Sequence, residues 1–260
     1  MKIIIMFFLF LFSIQATTLG TVKKIEGKAK LQGQDSMRKK SLEVGKELVA
    51  GDTVLTYRQS KVVLELNDKT KIVIDAFAKL TLLSADKFDQ DGGKVYYKVT
   101  KRKGAKGLNV KTPFAIIGVK GTEFVITDDN NSKALSLNEG LVGVDSPDGK
   151  PFAHIDEDKV NAKLGTPSDV QAEFEAYKKE LYAEFAEYVK SFDLKPGKKL
   201  VFNGKQVLES TSGIIEQQQF KLYMSDAEFN AISDELEQDV ESGSKDSGDA
   251  FDDDFFSTEE

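Results

Sequence analysis

Short apolar and β-branched stretches recur through the first half of the chain, and several of them alternate with polar positions. They cover residues 22–31, 53–57, 61–66, 71–74, 79–83, 94–100, 108–110, 124–127 and 134–144. Clusters of Gly, Asn, Asp, Ser and Pro separate them, as turns do. Many short strands without a helical period predict a mainly β domain over residues 19–150, a solenoid- or sandwich-like stack. Periodicity leaves solenoid, sandwich and barrel open.

The period changes after residue 165. Thr166, Pro167 and Asp169 form a helix-start signal, with a cap, a proline in the first turn and an acid three residues after the cap. An amphipathic stripe follows at spacings of three and four, and we expect the helix to end before Pro196. Its members are Val170, Phe174, Tyr177, Leu181, Phe185, Tyr188 and Phe192. The favoured role is packing on the β domain, and the alternative is pairing with another helix.

A hairpin and a second helix are predicted beyond this stripe. Asn203-Gly204 lies between two apolar runs at residues 199–208, a strong hairpin signal. A strand is expected at 219–224, and the capping box at 225–228 starts a helix that runs to about Gln238. Residues 151–240 are thus a predicted α+β extension of two helices and a hairpin. Residues 241–260 form a predicted disordered acidic tail, with Phe251, Phe255 and Phe256 as docking residues.

The first 18 residues have the layout of a secretory signal peptide. Lys2 precedes an apolar run of about a dozen residues, and small residues follow near Ala16. The run is shorter than the roughly 20 residues of a transmembrane helix. We therefore expect an exported, periplasmic or extracellular protein that is not inserted stably in the membrane after cleavage.

Composition removes several classes of chemistry. The chain has no cysteine and one histidine, which excludes disulfide frameworks, thiolate zinc sites and cysteine nucleophiles. His154, near Asp156 and Asp158, lacks a nucleophilic partner in the sequence, so we expect it to be structural. Asp89 with Asp91, and residues 252–254, do not fit a calcium loop. We expect no catalytic residue, no metal and no cofactor.

Charge is distributed unevenly along the chain. Residues 20–150 carry 24 Lys and Arg against 17 Asp and Glu, whereas residues 234–260 carry one Lys and 12 acids. A basic body and an acidic tail follow from these counts. The tail either binds the body or keeps the chain soluble, and solvation is the commoner role of such a segment.

Several segments together resemble the FecR domain. They are GDTVLT at 51–56, SKVVLELNDKT at 60–70, KTPFAIIGVKGTEF at 111–124 and NEGLVGV at 138–144. The third segment is the most specific, and its motif residues are Thr112, Pro113, Gly118, Gly121, Thr122 and Phe124. Physically, Pro113 suits the start of a strand, the glycines allow positive φ or close approach, and Phe124 is expected to face inward.

The resemblance implies a solenoid-like, mostly β module of the bacterial envelope. The best-known members relay the occupancy of an outer-membrane transporter to a cytoplasmic sigma factor. Here the domain follows the predicted signal peptide directly, so the chain is similar to the stand-alone exported members, whose ligands the resemblance does not specify.

Two surfaces are candidates for binding. The first is a basic segment without acids, interleaved with tyrosine, whose residues are Lys94, Tyr96, Lys98, Lys101, Arg102, Lys103, Lys106 and Lys111. The second is the helix stripe with Phe174, Tyr177, Leu181, Phe185 and Tyr188. A solvated strand with a lysine-protected edge is the competing interpretation of the first surface.

These features predict a non-enzymatic binding module of the envelope, with a role in sensing or signalling. Its expected partner is an envelope protein or an anionic glycan, and export argues against nucleic acid. A structural assembly protein that oligomerises through the aromatic helix is the alternative. A glycan hydrolase that uses two carboxylates is a second, less favoured alternative.

Overall fold

A computed structural model describes residues 17–101, 107–164, 171–213 and 218. Two open mixed sheets face each other across one apolar core, so the arrangement is a sandwich of two stacked sheets. The first sheet has eleven strands in the order β17-β16-β20-β19-β14-β13-β10-β7-β6-β1-β4, and the second has nine in the order β18-β15-β12-β11-β9-β8-β5-β2-β3. The prediction of a mainly β fold with a C-terminal α+β part is confirmed.

The strands of the first sheet are short and mostly antiparallel. They are β1 (Thr18–Glu26), β4 (Glu47–Val49), β6 (Lys61–Leu66), β7 (Lys71–Ile74), β10 (Gly93–Lys98), β13 (Glu123–Asp128), β14 (Lys133–Glu139), β16 (Phe152–Asp156), β17 (Glu187–Val189), β19 (Lys198–Asn203) and β20 (Gln206–Thr211).

The second sheet is built in the same way. Its strands are β2 (Ala29–Gln32), β3 (Lys39–Ser41), β5 (Asp52–Thr56), β8 (Lys79–Ser84), β9 (Lys87–Gln90), β11 (Leu108–Lys111), β12 (Ile116–Val119), β15 (Val142–Asp145) and β18 (Ser191–Leu194). The helices are α1 (Glu157–Leu164) and α2 (Gln171–Glu184).

The chain passes repeatedly between the two sheets. The hairpin β6–β7 lies in the first sheet, β8–β9 in the second, the strand β10 in the first, β11–β12 in the second, and β13–β14 in the first. Inward side chains of each hairpin, such as Leu64, Leu82 and Phe124, are fully buried in the shared core. The two-residue alternation of the sequence therefore sets which side chains enter this core.

Glycines with positive φ make the corners where the chain changes sheet. Residues 22–31 and 134–144 were each predicted as one strand, which is wrong. Gly27 (φ 69°) separates β1 from β2, and Gly140 (φ 93°) separates β14 from β15. Only glycine adopts this conformation without strain, so an apparently continuous strand pattern divides between two sheets.

The corner before β10 is tightly packed. Gly93 has a φ of 75°, and a Cβ placed there would lie 2.3 Å from Cα of Ala78. Beside it, the buried Tyr97 hydroxyl donates to Oε1 of Gln90 (2.9 Å), while Nε2 of Gln90 donates to the Gly93 carbonyl (3.1 Å). Burial raises the pKa of Tyr97 well above its usual value, so the hydroxyl stays protonated.

The C-terminal strands continue both sheets. β19 pairs with β14 in the first sheet, and β18 pairs with β15 in the second. The predicted hairpin at 199–208 is confirmed, and its two-residue loop is Gly204-Lys205, with Gly204 at a φ of 62°. Asn203 is the last strand residue before this loop.

The predicted helix is shorter than expected. α2 ends at Glu184, so the prediction that the helical stripe continues through Tyr188 and Phe192 is wrong. These two residues lie in β17 and β18, where Tyr188 pairs with Ala153 and Phe192 with Val144. Sheet pairing overrides the helical spacing because aromatic residues also suit strands. The structure adds α1, which sequence periodicity did not indicate.

A second, small apolar cluster fixes both helices to the outer face of the first sheet. Leu181 of α2 packs with Val160 of α1 and Ile155 of β16. Lys198 of β19 donates to Asp158 of α1, and the Thr211 hydroxyl donates to the same carboxylate at 2.8 Å. These bonds hold the pKa of Asp158 below its usual value.

Several predictions concern residues outside the described ones. They include residues 1–16 of the predicted signal peptide (1–18), the helix start at 166–169, the strand at 219–224, the helix at 225–238 and the acidic tail. Within the described ranges, no helix is both long and apolar enough to span a membrane.

Gly93→Ala is predicted to destabilise the protein more than Gly149→Ala. Both glycines have a similar φ, 75° and 71°, but no atom lies within 4 Å of the Cβ position of Gly149. The backbone strain of about 1 kcal/mol is therefore shared, and the collision with Ala78 adds to it only at Gly93. Urea unfolding would measure the two free energies. Equal losses would contradict the close approach described at this corner.

Asp158→Asn is predicted to lower the free energy of unfolding at neutral pH by about 0.5–1 kcal/mol, since the bonds are partly exposed. The folded pKa of Asp158 is depressed, so its stabilisation is present above the unfolded pKa of about 3.9 and disappears as pH falls through the folded pKa. The difference between parent and variant should therefore shrink as the pH falls below the unfolded pKa of about 3.9. A constant difference across pH 2–7 would contradict this contribution.

Candidate functional site

The family-like segment begins with a compact hairpin loop between β11 and β12. The buried Thr112 hydroxyl donates to the Ala115 carbonyl at 2.9 Å and accepts the Ala115 N–H at 2.9 Å. The Thr112 N–H also donates to the Ala115 carbonyl, which closes the loop. Pro113 is exposed at its tip, where its missing N–H leaves no ladder bond unmade. Thr112 and Pro113 thus shape a turn.

The second half of this segment is a corner between sheets. Gly121 has a φ of 69°, and a Cβ there would lie 2.1 Å from Cγ of Lys101. Phe124 is fully buried, as predicted, and stacks on Tyr97 with ring centroids 4.7 Å apart. Thr122 is buried beside them, and its hydroxyl has no hydrogen-bond partner.

A groove of about 520 Å³ lies on the outer face of the second sheet. Its floor follows one row of paired residues across β11, β12, β15 and β18: Asn109 opposite Gly118, Gly118 opposite Gly143, and Gly143 opposite Asp193. Neither glycine has positive φ, and a Cβ at Gly118 would lie 3.4 Å from Oδ1 of Asn109. Gly118 and Gly143 therefore leave space above the sheet. The lining residues are Gly107, Leu108, Asn109, Gly118, Val119, Lys120, Leu141 and Gly143.

Positive charge borders one end of this groove. Lys120 is exposed and belongs to the lining, and Gly107 is the last residue of the connection that starts at Lys101. Lys101 is exposed and packs against Gly121, next to Lys120 in sequence. Two cations, an amide and the exposed Leu141 thus lie around or next to a glycine floor, and the carboxylate of Asp193 lies at its other end, 3.8 Å from the Cβ position of Gly143.

The basic segment predicted from the sequence is not one surface. Lys94 and Lys98 lie on the outer face of the first sheet, where Lys98 forms an ion pair with Glu123 at 3.1 Å. Lys111 is exposed in β11 of the second sheet. The segment crosses between sheets and is not the single basic hairpin that was predicted. Arg102, Lys103 and Lys106 lie outside the described residues.

The tyrosines of this segment are buried. Tyr96 is 1% exposed and Tyr97 is fully buried, so the prediction of aromatic side chains interleaved with cations at the surface is wrong. Consecutive residues of a strand face opposite sides of the sheet, and here both sides are covered. Tyr96 packs with Val63, Val73 and Val125.

The helix stripe is only partly available for contact. Leu181 is 1% exposed, Phe174 and Phe185 are half-buried, and Tyr177 is 43% exposed. Tyr188, in β17, is 75% exposed and lines a groove of about 470 Å³ beside α2. Leu181 packs against Ile155 and Val160 of the extension rather than against residues 19–150. Packing of the stripe on the predicted β domain therefore stays a prediction, as does its role as an interaction surface.

His154 has a structural environment. Its ring stacks on Phe192 with centroids 4.3 Å apart, and its Nε2 lies 2.9 Å from Oε2 of Glu209. Asp156 instead accepts backbone N–H groups of α1, and Asp158 pairs with Lys198. The described residues contain no group of three or more metal-ligating side chains, and Asp91 forms an ion pair with Lys79.

Sequence reasoning missed the groove because a glycine in a predicted strand does not show whether neighbouring side chains fill the space above it. Gly118 was noted as a family-motif residue, but Asn109, Lys120 and Gly143 were not singled out. The available signal was strand alternation, since Leu108 and Val110 face inward and Asn109 must face outward.

The described core and corners define a two-sheet β protein built from alternating hairpins. The family model for FecR protein matches residues 52–143. This range contains both sheets' central strands, the closed Thr112 loop, the Gly121 corner and the floor of the groove. Residues 52–143 thus match the FecR family model, and the predicted resemblance is confirmed over that range.

Solved structures give weaker similarity. Two crystal structures of a proposed anti-sigma factor from Parabacteroides distasonis have TM-scores of 0.40 and 16% sequence identity, covering 62% of this chain and 59% of the other. A cell surface anchoring domain has a TM-score of 0.24 and 24% identity, covering 25% of this chain and 86% of the other. Comparison with curated proteins found no match.

Substitution by valine is predicted to change stability differently at the two buried threonines, Thr112 and Thr122. Thr112→Val removes a hydroxyl that closes a loop and leaves the Ala115 N–H without that acceptor, so it should cost about 1–3 kcal/mol. Thr122→Val removes an unpartnered hydroxyl and should be neutral or stabilising. Thermal unfolding of both variants measures this, with Thr112→Ser as the control that restores the loop. A large loss of stability at Thr122 would contradict the unpartnered state of its hydroxyl.

Proposed function

We propose that this protein is a non-enzymatic, extracytoplasmic binding module of the bacterial envelope, with a sensing or signalling role. Its proposed partner is an anionic envelope component, either an acidic protein segment or an anionic glycan. The observation that carries the proposal is the groove of the second sheet, whose glycine floor is bordered by Lys120, with Lys101 packed against the adjacent Gly121.

The chemistry of the lining supports binding. Lys120 supplies positive charge, Asn109 supplies an amide that both donates and accepts, and Leu141 supplies apolar surface. The groove is open rather than enclosed, and this shape suits an extended chain better than a compact small molecule. The lining residues include no pair of carboxylates, as acid–base hydrolysis of a glycan would need.

The family match adds a second line of support. The floor residues Asn109, Gly118 and Gly143 all lie within the matched range. FecR domains belong to envelope regulatory systems, which favours a sensing role. The apolar run near the N-terminus is the basis for proposing export.

A charge reversal at the groove tests the proposal. We expect the mature protein to retain an envelope component from an extract at moderate salt, and Lys101→Glu/Lys120→Glu to retain roughly tenfold less, since both cations would repel an anion. The matched control is Lys40→Glu/Lys46→Glu, which makes the same charge change at exposed sites on β3 and before β4. Mass spectrometry and glycan analysis of the retained fraction would distinguish an acidic protein from a glycan.

A steric variant tests the groove independently of charge. Gly118→Leu would fill the floor without backbone strain, whereas Ser41→Leu adds similar bulk at the exposed far edge of the same sheet. Binding should be lost in the first variant and kept in the second. Equal retention by all variants would contradict the groove as the site. If the parent retains nothing, a structural role gains support, and sedimentation velocity would then test for oligomers.

A further inference from the structure

The outer face of the first sheet carries an apolar row that points away from the shared core. Val63, Val73, Tyr96 and Val125 lie directly opposite one another on β6, β7, β10 and β13. Their sequence neighbours, such as Val62 and Tyr97, face the core instead. We call these four residues the outer row.

The outer row is as buried as the core. Its residues are 1–8% exposed, and they form a cluster of their own that includes no other described hydrophobic residue. A large side chain such as Tyr96 on an open sheet face keeps contact with water unless another layer lies on it. The described helices α1 and α2 lie farther along this face, against Ile155 and Leu208. The burial of the outer row therefore requires a further layer on this face of the first sheet.

Cations surround the outer row. Lys94 and Lys98 flank Tyr96 on its own strand, and Lys61, Lys71 and Lys199 belong to the same face. Glu26, Glu65 and Glu123 are acids on this face, and each of them forms an ion pair with lysine. The face is thus apolar along its centre and positively charged around it, and it suits an amphipathic segment with acidic flanks.

The chain that follows β20 has this composition. Residues 214–240 contain seven acids and one lysine. The helix predicted after the Ser225 cap carries Phe229, Ile232, Leu236 and Val240 at spacings of three and four, which form one apolar stripe. Acids such as Glu228 and Glu235 lie beside this stripe.

The strand β20 ends close enough to the outer row for the residues that follow it to reach that row. The Ser212 N–H donates to the Gly197 carbonyl at 2.8 Å, and the Gly197 N–H donates to the Leu137 carbonyl of β14 at 2.9 Å. From β14 to β10 is two strand spacings, about 10 Å. The eleven residues 214–224 span about 16 Å even at the helical rise of 1.5 Å per residue.

We propose that residues 219–240 dock on the outer row and complete the helical layer that α1 and α2 begin on the first sheet. The apolar stripe covers Tyr96 and its neighbours, and the acids face the surrounding lysines. The docked segment is a part of this chain, so its local concentration is high without any external partner.

Thiol labelling tests this docking in the full-length mature chain. The protein has no cysteine, so Val125→Cys introduces a single reporter in the outer row. We expect the reporter to react slowly with a thiol reagent. Ile232→Asp/Leu236→Asp places charge in the stripe and should raise the labelling rate at least about tenfold. Ala227→Asp/Ala231→Asp adds the same charge on the opposite helix face and should leave the rate unchanged.

Two further measurements keep the outcomes distinct. A reporter at Val142→Cys, in the shared core, should stay unreactive in the stripe variant, so that unfolding of the sandwich is distinguished from undocking. The labelling rate should not depend on protein concentration, because dependence would assign the cover to a second copy and overturn the proposal. A fast reaction in the parent, or a slow one in the stripe variant, would also overturn it.

Discussion

One buried amide, that of Gln90, joins the two sheets where the chain turns from β9 into β10. It accepts from the Tyr97 hydroxyl and donates to the carbonyls of Gly93 and Ile126. A strand of the second sheet is thereby bonded to two strands of the first. Since an unpaired amide in this core would be costly, the bonds fix the position of the corner. The hairpins β8–β9 and β13–β14 meet at this amide.

Much of the fold follows from strand alternation and turn chemistry. The bounds of β6 and β7 agree with the predicted runs, and the Asn203-Gly204 signal correctly marks a hairpin. Sequence periodicity could not reveal the division of strands at Gly27 and Gly140, because a glycine within an apolar run is also compatible with an uninterrupted strand. The helical spacing at Tyr188 was outweighed by pairing with a strand that lies 35 residues earlier in the chain.

The candidate site was harder to predict for a related reason. A basic run in the sequence becomes a basic surface only if its residues share a face, and the run from Lys94 to Lys111 changes sheet midway. The groove instead combines residues from strands that are separated in sequence. Gly118 contributes to it because it has no side chain to fill the space. Side-chain chemistry in a linear sequence indicates donors, acceptors and charges, whereas open space depends on pairing register.

Chain order and spatial order coincide in most of this sandwich, and the parallel pairing of β16 with β20 is a clear exception. Local hairpins form contacts between residues near in sequence, which favours rapid folding. The β16–β20 pairing must wait until residues 206–211 have appeared. It also carries α1 into place. The last hairpin, β19–β20, can therefore pair with β16 only late in folding. The C-terminal extension is complete only when nearly the whole described chain is present.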